Sequence, residues 1–84
     1  MPDAIAAREQ LLADLRSAGI SDETMALWIE PGEAVGITDD RLELAFPPRI
    51  WNCQWVQRRY ASLLGDLARR QGLAGVRILC QGPA

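Results

Sequence analysis

From Arg49 to Gln71 the chain runs without a proline, and its apolar side chains recur at helical intervals. Trp51, Trp55, Val56, Tyr60, Leu63, Leu64 and Leu67 follow one another at spacings of 4, 1, 4, 3, 1 and 3, the stripe of a long amphipathic helix. Just before it, LELAF (42–46) alternates Leu42, Leu44 and Phe46, the two-residue period of a half-buried strand. Pro47-Pro48 separates the two periods, because proline cannot donate to a sheet ladder but is tolerated in a first helical turn. A chain of 84 residues supports one domain with one small core. Everything else has to pack against this strand and this helix.

The remaining elements follow from local chemistry. Residues 3–18 are rich in helix formers and hold no internal proline or glycine, with Ile5, Leu11, Leu12 and Leu15 marking the apolar side and Gly19 as the stop. Ser21 reads as the N-cap of a short second helix. Asp22 and Glu23 occupy its first turn, Met25, Trp28 and Ile29 its apolar side, and Pro31-Gly32 its end. AVGI (34–37), the polar turn TDDR and LELAF form a hairpin, and VRILC (76–80) alternates Val76, Ile78 and Cys80 as a last strand. The order is α-α-β-β-α-β: a two-layer α+β domain over residues 1–84, with three helices packed on a small three-stranded sheet. Trp55, Val56 and Tyr60 are expected in the core, and Gly65, inside the third helix, is expected to permit close packing against a neighbour.

Composition narrows the function classes. With 49% apolar and 24% charged residues, the chain is globular rather than disordered. The start, MPDAIAAREQ, has neither the cationic nor the apolar part of a signal peptide, and no apolar run has membrane-spanning length; a cytoplasmic protein without a membrane partner is the expectation. There is no histidine, the commonest general base and metal ligand. No phosphate loop, nucleophile elbow, zinc spacing or dinucleotide fingerprint occurs. Asp39 and Asp40 are explained by a hairpin turn. No enzyme activity, cofactor or metal is expected. Cys53 and Cys80 have no motif spacing and are expected to be small, reduced residues of the core or its edge. Charge is uneven: residues 1–48 carry ten acids against three arginines, a balance of −7, and residues 49–84 six arginines against Asp66 alone, a balance of +5.

Four segments in order carry a resemblance. Trp28-Ile29-x-Pro31, Leu42-x-Leu44-x-Phe46-Pro47, Trp55-Val56 and Arg58-Arg59-Tyr60 resemble the N-terminal domain (domain I) of the bacterial replication initiator DnaA, either as that domain or as a standalone relative of it. The resemblance covers nearly the whole chain and implies a KH-like fold and a protein-interaction role: docking the replicative helicase, the initiator or initiator-regulating proteins. It implies weak contact with single-stranded DNA in some members. The family's helicase-contacting acid early in the second helix falls on Thr24, with Asp22 and Glu23 just before it. The aromatic that opens the third helix corresponds to Trp51. The family's homodimer contact uses an aromatic in the first helix; here that helix has none.

Two readings of the site stand side by side. As a protein-docking module, the chain would use Trp51, Arg49 and the edge formed by Asp22, Glu23 and Thr24. Trp51 is then an exposed anchor, with a core position as its alternative. As a single-stranded nucleic-acid binder, it would use Arg49, Arg58, Arg59 and Arg77. The GLAG segment (72–75) matches a GXXG spacing but carries no cation; a helix stop and turn account for it.

Overall fold

The computed structural model describes residues 3–47 and 50–80, with the backbone alone for residues 50–52. Its elements are α1 (Ala4–Ser17), α2 (Asp22–Thr24) running into a π-helical turn (Met25–Ile29), β1 (Glu33–Thr38), β2 (Arg41–Phe46), α3 (Ile50–Arg70) and β3 (Gly75–Cys80). The sheet order is β1-β2-β3. β1 pairs antiparallel with β2, and β3 pairs parallel with β2, so α3 is the crossover of a β-α-β unit. The α+β class, the three helical segments and the three-stranded sheet agree with the sequence pattern.

Local chemistry fixes the boundaries. The Asp3 side chain accepts the Ile5 N–H at the start of α1. At its end Gly19 takes a φ of +98°, its N–H bonds to the Arg16 carbonyl, and the Ile20 N–H bonds to the Leu15 carbonyl. That pair of bonds is a Schellman motif, which needs a residue tolerant of positive φ. Gly72, at φ +88°, repeats the device after α3: its N–H reaches the Arg69 carbonyl, and the Leu73 N–H reaches that of Ala68. GLAG is therefore a helix stop and the lead into β3. Asp39 and Asp40 have φ of 54° and 61°, the two left-handed positions of a type I′ hairpin turn.

One face of the sheet makes the core. Leu42, Leu44 and Phe46 of β2 lie in register with Val76, Ile78 and Cys80 of β3, and Ile37 and Ala34 of β1 pair with Leu42 and Leu44. Against this face pack Ala7, Leu11 and Leu15 of α1, Met25 and Ile29 of the π turn, and Cys53, Val56, Leu64, Leu67 and Ala68 of α3. Full burial of one such large side chain contributes about 1.5–3 kcal/mol. The alternate strand positions form the other face. There Thr38 donates to Glu43 at 3.0 Å and Arg77 pairs with Glu43 at 3.8 Å.

Four expectations are corrected. Ile5 is 63% exposed, and Ala7 takes its place on the buried side of α1. Trp55 is not a core residue: it is 45% exposed, whereas Val56 beside it is fully buried and Tyr60 is half-buried. The cysteines are not two separate thiols: in the structure Cys53 and Cys80 are paired as a disulfide between α3 and the end of β3, with a Cα–Cα distance of 5.7 Å. The parallel crossover brings together two residues that are 27 positions apart, a proximity no local spacing encodes. Gly65 makes no close approach to another element among the described residues: a Cβ there would meet the Arg69 guanidinium, at 3.5 Å.

Candidate functional site

The second helical segment is tied by hydrogen bonds at both ends. Ser21 caps it by accepting the Thr24 N–H at 3.2 Å. The Glu30 N–H reaches back five residues to the Met25 carbonyl at 2.8 Å, the wide turn of a π-helix, which recurs at functional positions in proteins. Arg8 of α1 then crosses the end of the segment. Its Nε donates to the Gly32 carbonyl at 2.7 Å and a terminal nitrogen to the Glu30 carbonyl at 2.9 Å, which places a cation where the helix dipole favours one. Gly32 lies under the Phe46 ring, where a Cβ would come within 2.5 Å of Cζ. Met25 and Ile29 face the core, and Trp28 is turned toward α3.

Trp28 and Trp55 meet there, with ring centroids 6.2 Å apart and planes inclined at 39°. This is a tilted geometry within the range favoured by aromatic quadrupoles. The Arg59 guanidinium lies over the Trp55 ring, 5.9 Å from its centroid, at the outer limit of a cation–π contact. Arg59 is one helical turn beyond Trp55, so α3 itself supplies the alignment. Trp28 is half-buried and packs against the core; Trp55 leaves nearly half of its surface in solvent, and Leu27, next to Trp28, is 58% exposed. The result is an aromatic step between two helices with a cation on its rim. It offers apolar area and a π-bound charge, and nothing in it suggests a reacting group.

The sequence-derived site residues fall in three places. Asp22 and Glu23 are exposed at the start of the helix whose end carries Trp28, and Asp22 pairs with Arg16 of α1 at 3.4 Å. Thr24 is half-buried and takes part in the cap, accepting the Ser21 hydroxyl at 2.9 Å. Arg58 and Arg59 are exposed on α3, with Arg59 on the aromatic step. Arg77 is apart from them, on the sheet face turned away from the core and paired with Glu43. Arg49, and the side chain of Trp51, lie outside the described residues. The step itself, Trp28 with Trp55, is absent from the sequence-derived set. Its signal was present: Trp55 and Arg59 share an i,i+4 row, and Trp55 stands one residue, about 100° of helix turn, from the buried Val56. Among the described residues no group of three or more metal-ligating side chains is found. No helix among them is long and apolar enough to cross a membrane.

The chain matches no protein-family model and no curated protein.

Proposed function

We propose that this chain is a protein-docking module of replication initiation: a non-enzymatic, cytoplasmic, KH-like relative of the DnaA N-terminal domain that engages a replicative helicase, an initiator or an initiator regulator. The observation that carries the reading is the Trp28–Trp55 step with Arg59 over it. Its residues belong to the same segments that carry the resemblance. Tryptophan and arginine are enriched at binding hot spots: tryptophan buries a large apolar area for little lost rotamer freedom, and arginine brings a planar, always charged fork of donors. A tryptophan left 45% exposed still has apolar surface to bury, and a partner that covers it gains about 25 cal/mol per Å² removed from water. Arg58 and Arg59 flank the step on α3, and Asp22 and Glu23 stand at the far end of the second helical segment. The matching partner face is an apolar anchor with carboxylates on the α3 side and a cation on the other.

A second reading, single-stranded nucleic-acid binding, has one observation in its favour: an exposed tryptophan beside two arginines is a base-stacking platform in miniature. Charge works against it. The net charge is −2, Arg77 is engaged on the other sheet face, and exposed acids repel a polyanion over a Debye length of about 8 Å.

The two readings separate in one pair of titrations, with replicative helicase and with labelled single-stranded DNA, at physiological salt. The docking reading expects saturable helicase binding and a DNA Kd no tighter than about 10⁻⁵ M. Submicromolar DNA binding that falls steeply with salt, with no binding of helicase, initiator or regulator, overturns it.

A further inference from the structure

We infer that the Cys53–Cys80 disulfide is a reversible clip on the first half of α3, and that thiol redox state thereby sets how firmly the Trp28–Trp55–Arg59 step is held. The two sulfurs have unequal surroundings. Cys53 is 1% exposed and belongs to the core, whereas Cys80 is an exposed residue at the end of β3. Attack by a thiolate from solvent is placed at the sulfur of Cys80, the exposed residue of the two, since thiol–disulfide exchange is governed by access as well as by thiolate character. Attack there by a low-molecular-weight dithiol breaks the S–S bond and forms a mixed disulfide with Cys80. Cys53 leaves as a thiolate and takes up a proton. The second thiol of the dithiol then displaces Cys80 and closes the reductant's own disulfide. The protein gains two electrons and two protons, and the dithiol loses them.

Both ends of that reaction leave a packed domain. β3 remains paired with β2 over six residues, and the second half of α3 keeps Leu64, Leu67 and Ala68 in the core. A reduced Cys53 is a small apolar residue suited to its buried place. What changes is the anchoring of the first half. There the core contacts of described residues are those of Cys53, Val56 and the half-buried Tyr60. One side-chain hydrogen bond, from Gln57 to the Ile78 carbonyl at 3.4 Å, also ties that half to β3. The first turn carries no acidic residue to complement the helix dipole. Trp55 follows Cys53 by two residues, so the segment held by the clip is the one that presents Trp55 to Trp28. In a reducing compartment the dithiol form would be the resting state, and oxidation would stiffen the step.

The test needs no partner, so its failure and that of the docking reading are distinguishable. The whole chain is oxidised with glutathione disulfide, and the bond is confirmed by mass and by loss of titratable thiol. Amide hydrogen exchange is then followed with and without dithiothreitol. The expected result is unchanged far-ultraviolet circular dichroism with exchange about tenfold faster or more in residues 53–60, reporting local opening, and little change in residues 64–70. Cys80→Ser, at the exposed position, should reproduce the reduced pattern without reductant, as should Cys53→Ser/Cys80→Ser if it folds. The inference is overturned if the thiols do not pair under oxidant, if exchange in 53–60 is the same in both states, or if reduction raises exchange equally through 64–70.

Discussion

Gly32 is required by what sits above it rather than by its own backbone angles. A methyl group there would enter the fully buried Phe46 ring, within 2.5 Å of Cζ and 2.8 Å of a neighbouring ring carbon. The ring has nowhere to go, since close-packed interiors lack voids to absorb it. Gly32→Ala should therefore lower unfolding free energy by about 1–3 kcal/mol, the usual cost of overpacking, read as a fall in denaturation midpoint without change in the slope. Trp55 shows the opposite case, a large apolar residue the core does not need. Its sequence context hid this. Trp55 and Val56 are adjacent, so both fit an apolar stripe counted by spacing, yet one step of helix separates a buried position from an exposed one. Burial follows the row Cys53, Val56, Tyr60, Leu64, Leu67, at spacings of 3, 4, 4 and 3. Including Cys53 in the stripe would have placed Trp55 outside it.

At the scale of elements, punctuation was more legible than orientation. Gly19, Gly72, Ser21 and the Asp39-Asp40 turn each act through local backbone chemistry, and each sits where the sequence puts it. The π-helical turn was not legible, because no residue type marks a five-residue back bond; it is fixed by Arg8 and by Phe46, both distant in sequence. The disulfide was not legible for the same kind of reason: it depends on the parallel pairing of β3 with β2. Gly65 was read as a packing notch, but α3 uses it for nothing of the sort. Among the described residues, a Cβ there would meet the flexible Arg69 side chain, which also pairs with Asp66. Glycine inside a helix costs up to about 1 kcal/mol relative to alanine. Gly65→Ala should raise stability by roughly that amount, seen as a higher melting temperature, and a loss of stability would show that Arg69 cannot move aside.

Across the whole molecule, several charges of the two halves are engaged in contacts among the described residues. Arg8 and Arg16, from the acidic half, are tied to carbonyls of the second helical segment and to Asp22. Arg77 and Asp66, from the basic half, engage Glu43 and Arg69. What is left near the aromatic step is a local contrast, Arg58 and Arg59 on α3 against Asp22 and Glu23 on the neighbouring helix. The radius of gyration, 11.8 Å, is that of a well-packed chain of this length, about 12 Å, so the half-exposed tryptophan is a feature of a finished core rather than of a loose one.

The docking assignment therefore rests on Trp55 being outside that core, and its replacement is the most direct test. Trp55→Ala removes an aromatic pair worth about 0.5–1.5 kcal/mol beyond area burial, well below the roughly 3–5 kcal/mol lost with a core aromatic. The variant should keep its circular dichroism and cooperative melting while its affinity for the replicative helicase falls at least about tenfold, as truncating a hot-spot residue typically requires. Arg77→Ala, on the other sheet face, should leave that affinity within about twofold, as expected of a residue outside the contact. An unfolded Trp55→Ala protein, or a folded one that binds the helicase as tightly as the parent, would contradict the account.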